Sequence, residues 1–301
     1  MSTKITGKQQ VEDLLNKYDN FLFDCDGVIW LDNALLPYVI ETLQMLRSHG
    51  KQLIFVTNNS TKSRDDYVDK FAKFGLTILK KEVFGSAYAS AIYAKNIIKL
   101  PTEKKIWIMG GKGLEVEFNE AGYQTLGGSS MPELDKELDL SDSNDPINKI
   151  DPAVGAVVVG LDTHMNYHRL AVTLQYLRNP EVVYIATNID ATYPANGIIL
   201  PGAGSVVDSA SSCSQRTPVS CGKPSKGMMD AIVEAHGIDK SRSIMVGDRL
   251  NTDMKFGSSN GLDTLLVLTG IETEEAMRAL DQSSQPTYYA AKLGDLFELH
   301  H

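Results

Sequence analysis

Cysteine is scarce in this chain of 301 residues: Cys25, Cys213 and Cys221 are the three, and their spacing suits neither a metal-ligand pattern nor a disulfide framework. That usage fits a reducing compartment, and Cys25, set behind an apolar run, reads as a packing residue. Long apolar runs are missing as well. No stretch approaches the roughly 20 residues that span a bilayer, and the polar start Met1-Ser2-Thr3-Lys4 has no apolar signal segment, so a soluble, cytoplasmic protein with no membrane partner is expected. Nor is there a surplus of positive charge. The formal net charge is -9, with Lys and Arg scattered among acids, which argues against nucleic acid as the main partner. An anionic substrate would have to be attracted locally, by a metal or a few cations.

What is present suffices for a large core. With 43% hydrophobic residues, 301 residues divide naturally into two domains. Strand-like runs (Phe21 to Cys25, Gln52 to Thr57, Ser243 to Val246, Thr264 to Leu268) alternate with amphipathic stretches such as Tyr38 to His49. This alternation predicts an α/β fold with a parallel sheet covered by helices. Between the two halves lies a second α/β segment with strands near Lys105 to Met109, Ala156 to Val159 and Val182 to Ala186. We expect residues 1-101 and 206-301 to form a core and residues 102-205 an inserted domain. Ser129 to Pro152, rich in Asp, Glu, Ser and Pro, reads as a long exposed loop, and Pro201-Gly202-Ala203-Gly204-Ser205 as a hinge whose Ser205 caps a helix.

Chemistry concentrates at strand ends. Asp24-Cys25-Asp26-Gly27 follows Phe21-Leu22-Phe23, and residues two apart on a strand share a side, so both carboxylates can project toward one site where the chain opens into a Gly turn. Two converging acids suit a divalent cation or acid-base work, although D-x-D-G alone reads equally as turn chemistry. Thr57-Asn58-Asn59-Ser60-Thr61 follows a second strand and suits the cap of a helix beginning near Lys62. Gly247-Asp248, with Asp253 five residues on, follows a third. In open α/β sheets such loops meet outside the carboxyl ends of the strands.

In order along the chain, Asp24-x-Asp26-Gly27, Thr57-Asn58-Asn59, Lys223 in Gly222-Lys223-Pro224, and Asp248 with Asp253 resemble the four motifs of the haloacid dehalogenase superfamily. The resemblance covers about Tyr18 to Leu296. The insertion is similar to the larger α/β cap, of C2 type, in the branch of 4-nitrophenylphosphatases, phosphoglycolate phosphatases and pyridoxal phosphate phosphatases. Phe23 to Trp30, Val56 to Arg64 and Val246 to Gly257 look closest to the fungal 4-nitrophenylphosphatase type. The fold this implies is a Rossmann-like core with a mobile cap. The activity it implies is hydrolysis of small phosphorylated metabolites, with Mg2+ as cofactor. By the same resemblance Asp24 is the nucleophile and Asp26 the acid and base. Asp24, the Asp26 carbonyl and Asp248 hold the metal, and Asp253 orients that shell. Lys223, the Thr57 hydroxyl and the amides of Asn58 and Asn59 bind the phosphoryl oxygens. A cap loop, Thr187 to Pro194, meets the rest of the substrate, and there Tyr193 stands where pyridoxal phosphate phosphatases carry His in a D-x-x-H-P pattern, which weakens that substrate assignment. Related proteins imply a homodimer through the cap.

Three alternatives stay open beside this reading: a pyridoxal phosphate phosphatase, a phosphoprotein phosphatase that a large cap would obstruct, and a binding protein without turnover. Two other features read as structural. Gly110-Gly111-Lys112-Gly113 lacks the spacing of a nucleotide-binding loop and reads as a turn. His164 and His168 are four apart with no Glu beside the first, and read as packing or surface residues rather than zinc ligands.

Overall fold

A computed structural model describes residues 2–31, 33–195 and 197–301. The strands run in chain order β1 (Thr3–Lys4), β2 (Asn20–Phe23), β3 (Trp30–Leu31), β4 (Ala34–Leu35), β5 (Gln52–Thr57), β6 (Val83–Gly85), β7 (Lys105–Met109) and β8 (Thr125–Gly127). They continue with β9 (Val154–Val159), β10 (Val183–Ala186), β11 (Thr192–Ala195), β12 (Ile198–Pro201), β13 (Val219–Ser220), β14 (Ser243–Gly247), β15 (Asp263–Val267) and β16 (Tyr288–Ala290). Two compact units result: residues 1–57, 68–84 and 236–301 form one, and residues 58–67 and 85–235 the other.

The first unit is built on a seven-stranded sheet of order β1-β16-β15-β14-β2-β5-β6. Its central strands β2 and β14 are buried at every position, as expected of parallel strands covered on both faces. Polar Asn20 at the start of β2 is tolerated inside because its Nδ2 donates to Ser243 Oγ at 3.0 Å, which also pins the register of β2 on β14. Phe23 stacks on Phe55 across β2 and β5, with centroids 5.8 Å apart. These strands leave the sheet at one edge, so Asp24, Thr57 and Asp248 all emerge from C-terminal strand ends.

The second unit has a five-stranded sheet of order β13-β10-β9-β7-β8, parallel throughout. Helices Tyr167–Leu177 and Ala203–Ser214 contribute to its core, in which Trp107 and Tyr176 lie 4.9 Å apart. Chain connectivity and compactness divide the molecule differently. β13 lies beyond residue 205 yet pairs with β10, and Cys221 N–H extends the ladder to Ala186 O at 2.8 Å, so the return segment belongs to the second sheet. Helix Ser86–Ile92, before residue 102, packs on helix Lys112–Glu120 in the same way.

Two local expectations need correction. The helix after β5 begins at Arg64, because Ser63 and Asp66 form a reciprocal cap: Ser63 N–H donates to Asp66 Oδ2 at 2.8 Å and Asp66 N–H to Ser63 Oγ at 3.2 Å. Ser205 caps nothing; it lies inside the helix that starts at Ala203, and its hydroxyl donates to Ala191 O. Residues 129–152 form the long, mostly exposed loop expected of them, with short 3₁₀ turns, and are anchored by Leu134, which is fully buried in the core, and by Asp145. His168 is that anchor's partner, with Nε2 2.8 Å from Asp145 Oδ1 and Nδ1 3.1 Å from Lys136 O. The run Gly110 to Gly113 is a packing device. Gly113 N–H donates to Thr61 O at 3.1 Å, and a Cβ at Gly113 would lie 2.5 Å from the Lys62 carbonyl carbon.

Candidate active site

Three carboxylates converge in the first unit. One oxygen each of Asp24, Asp248 and Asp253 lies within 4.8 Å of the others, Asp24 half-buried and the other two almost fully buried. Asp24 is held in place by its own N–H, which donates to Val246 O at 2.9 Å and ties the end of β2 to β14. Asp253 turns back on its loop: its Oδ2 accepts the N–H groups of Asp248 at 3.3 Å and Arg249 at 3.2 Å. Two unit charges about 5 Å apart repel by ~3 kcal/mol at an effective dielectric of 20, and a cation held between the three carboxylates would relieve that repulsion. An all-oxygen donor set suits a hard divalent ion such as Mg2+ or Ca2+. Glycines make the room. A Cβ at Gly27 would come 2.5 Å from Asp248 Oδ2, one at Gly270 1.8 Å from it, and one at Gly247 2.2 Å from Asp253 Cβ. Gly27 also has φ +83°, where a side chain is strained.

Asp26 lies on the turn that follows. Its carboxylate is exposed, and Oδ1 accepts the Trp30 indole N–H at 2.7 Å with Lys70 Nζ 3.8 Å away. Thr57 is buried at the end of the neighbouring β5.

The second unit carries the remaining predicted residues, among them Asn58. Its Oδ1 accepts the Lys223 N–H at 2.7 Å, and its Nδ2 donates to Lys223 O at 3.0 Å and to Asp190 Oδ2 at 2.8 Å. The Asn58 carbonyl accepts from Ser86 Oγ and from Asn188 Nδ2, both at 2.7 Å. Lys223 itself is 2% exposed, a strong constraint on a charged side chain. Asn59 turns outward, its Oδ1 accepting Thr61 N–H at 2.9 Å. Tyr193 is half-buried on the β11–β12 hairpin, opposite Leu200. Trp30, Lys70 and Gly270 are not legible as site residues in the sequence. The available signal for Trp30 was its place four residues beyond Asp26, and Gly270 carried none; Asp190 lies in the expected cap loop Thr187 to Pro194.

Residues 21–124 match the family model described as haloacid dehalogenase-like hydrolase, and residues 220–296 match a second described as HAD-hydrolase-like. A 4-nitrophenylphosphatase of Schizosaccharomyces pombe is 40% identical over 301 residues, covering 99% of each chain. The chain belongs to the haloacid dehalogenase-like hydrolases. Phosphoglycolate phosphatase 2 of Arabidopsis thaliana is 41% identical, again over 99% of both chains. Among solved structures, a 4-nitrophenylphosphatase of Thermotoga maritima superposes with a TM-score of 0.78 at 30% identity, covering 96% of this chain and 99% of its own.

Membership in this hydrolase family makes the chain an enzyme of the phosphoric monoester hydrolase type, with the Rossmann-like core and inserted α/β cap of the haloacid dehalogenase fold. The matched stretches contain every predicted polar residue except Tyr193, which lies between them. The cysteines stand apart from the acid cluster in character. Cys25 is fully buried, and burial pushes the Cys221 thiol up to about 12 against an opposing hydrogen bond from Ser90. Among the described residues no helix is long and apolar enough to cross a membrane.

Proposed function

We propose that the chain is a Mg2+-dependent phosphomonoesterase for small phosphorylated metabolites, most suited to phosphoglycolate-like acids, with 4-nitrophenyl phosphate as an artificial substrate. The observation that carries this reading is the convergence of Asp24, Asp248 and Asp253 within 4.8 Å, with Asp26 two residues from the first. The substrate class is supported by kinship to the 4-nitrophenyl and phosphoglycolate phosphatases.

In the first step an Asp24 carboxylate oxygen attacks phosphorus, and the bond to the leaving oxygen breaks as Asp26 gives that oxygen its proton. In the second, Asp26 takes a proton from water, whose oxygen attacks the aspartyl-phosphate. The acyl-phosphate P–O bond breaks, inorganic phosphate leaves, and both aspartates return to their starting state. Asp24, the Asp26 carbonyl and Asp248 would hold the cation, with Asp253 fixing the Asp248 loop. Bound there, Mg2+ supplies charge neutralisation for the transferring group. Lys223, the Thr57 hydroxyl and the Asn58 and Asn59 amides bind the phosphoryl oxygens. Tyr193 meets the remainder of the substrate. Residues 1–101 and 206–301 act as the catalytic core and residues 102–205 as the specificity cap, in a cytoplasmic protein that pairs with a second copy through the cap.

The test is phosphate release from a panel of phosphorylated metabolites and 4-nitrophenyl phosphate, with and without Mg2+. Release that requires Mg2+ and vanishes in Asp24→Asn is the expected result. An active Asp24→Asn enzyme would sink the covalent mechanism.

A further inference from the structure

Acid-base work demands that a carboxylate point one way, and an exposed aspartate on a turn has no packing to make it do so. Asp26 is such a residue. Its restraint comes from below, through Trp30. The loop folds back so that Gly27 N–H donates to Trp30 O at 2.7 Å and Ile29 N–H to Cys25 O at 2.9 Å, which brings the indole under the carboxylate. Trp30 is fully buried, stacked on Phe74 at 5.5 Å and edge-on to Phe71 at 4.8 Å, so the ring has one available orientation. A buried indole N–H can only donate and must find an acceptor, which here is Asp26 Oδ1 at 2.7 Å. Lys70 completes the arrangement, its Nζ 3.9 Å above the indole ring and 3.8 Å from the same oxygen. All of these groups belong to one compact unit.

We infer that Trp30 is a positioning residue which holds Asp26 through Oδ1 and thereby presents Oδ2 as the oxygen that exchanges the proton with the leaving group. This rests on the phosphatase reading above. In that step the Oδ2–H proton passes to the leaving oxygen as its bond to phosphorus breaks. The inference separates substrates by their leaving group. A 4-nitrophenolate departs with little help, whereas an alkoxide needs the proton, so loss of orientation falls on alkyl esters.

Trp30→Phe keeps the ring and removes the N–H. The measurement is kcat/KM, which reports the first step, for 4-nitrophenyl phosphate and for glycerol 3-phosphate as an alkyl ester. Since general acid catalysis supplies roughly 100- to 10,000-fold, the alkyl ester is expected to lose roughly 10-fold or more relative to the aryl ester. That selective loss should disappear in an Asp26→Ala background, where nothing remains to orient. Equal losses on both esters would mean a structural role only, and no loss on either would overturn the inference as well. A second readout needs no turnover. The chain has 2 tryptophans, so the Trp30 indole N–H is one of two such signals in a proton–nitrogen NMR spectrum, and it should shift in Asp26→Ala. An unmoved signal refutes the contact even if Trp30→Phe fails to fold. Wild-type protein that releases no phosphate would sink the phosphatase reading while leaving the indole result standing.

Discussion

Asn58 binds both main-chain polar groups of Lys223, accepting its N–H at 2.7 Å and donating to its carbonyl at 3.0 Å. A side-chain amide carries an acceptor and a donor side by side, which is what this pairing needs. The same Nδ2 reaches Asp190 Oδ2, so one residue ties the lysine segment to the segment leading into Tyr193. Asn58→Asp sets a carboxylate against both the Lys223 carbonyl and the Asp190 carboxylate. We expect it to cost about 1–3 kcal/mol in urea denaturation, the range for a spoiled buried hydrogen bond, and to lower kcat/KM. The reciprocal Asn58→Asp, Asp190→Asn pair exchanges donor and acceptor and should recover part of both losses. A double variant no better than the sum of the singles would refute the coupling.

Cation binding should stabilise the folded chain, because an ion that binds only the native state shifts unfolding by mass action. Added Mg2+ is expected to raise the melting temperature of the wild type and to leave Asp248→Asn unmoved. Asp253→Asn should retain a response with an affinity about 10- to 100-fold weaker, as befits a residue that orients the Asp248 loop through two N–H groups. An equal response in all three proteins would contradict the assignment.

Gly270 is a steric prediction. A Cβ there would sit 1.8 Å from Asp248 Oδ2, so Gly270→Ala must displace the carboxylate. We expect loss of Mg2+-dependent phosphate release with the circular dichroism spectrum retained. Gly7→Ala, which meets nothing within 4 Å, is the control and should keep wild-type activity.

Acid should loosen the excursion 129–152. Burial raises the Asp145 pKa, but the N–H groups of Asp139 and Ile147 and the His168 ring outweigh it and hold the carboxyl below the usual range. A depressed carboxyl stabilises the fold above its unfolded pKa of about 3.9, and the contribution is lost as pH falls through the lower folded value. Hydrogen exchange in residues 136–149 should therefore quicken below about pH 4, and Asp145→Asn should show the same quickening at neutral pH. Unchanged exchange in Asp145→Asn would remove Asp145 as the anchor.

Much of the core was legible in the sequence. β5 and β7 run over the residues expected of them, and β14 differs by one, because a parallel strand covered on both faces is a short unbroken apolar run that ends in Gly or polar residues. The helix start at Arg64 was misread because Thr57 to Thr61 offers several good capping residues, and only the return bond from Asp66 selects Ser63. The polar composition of residues 129–152 correctly predicts an exposed loop, but not that Leu134 and Asp145 would anchor it, because two buried side chains leave little trace in a composition.

By itself, the sequence determined the alternation of buried strands and amphipathic helices, the placing of acids at strand ends, and the order of motifs that marks a haloacid dehalogenase-like hydrolase. Those properties are local, or are spacings along the chain, and hydrophobic period and turn chemistry report them. Only the tertiary structure decided that the Asp253 carboxylate takes the N–H groups of Asp248 and Arg249, that Asn58 clasps a lysine 165 residues away, and that Gly270 yields its side-chain volume to Asp248. Such pairings depend on how strands are ordered in the sheet and on the single rotamer each packed side chain retains, neither of which is encoded in any one window of sequence.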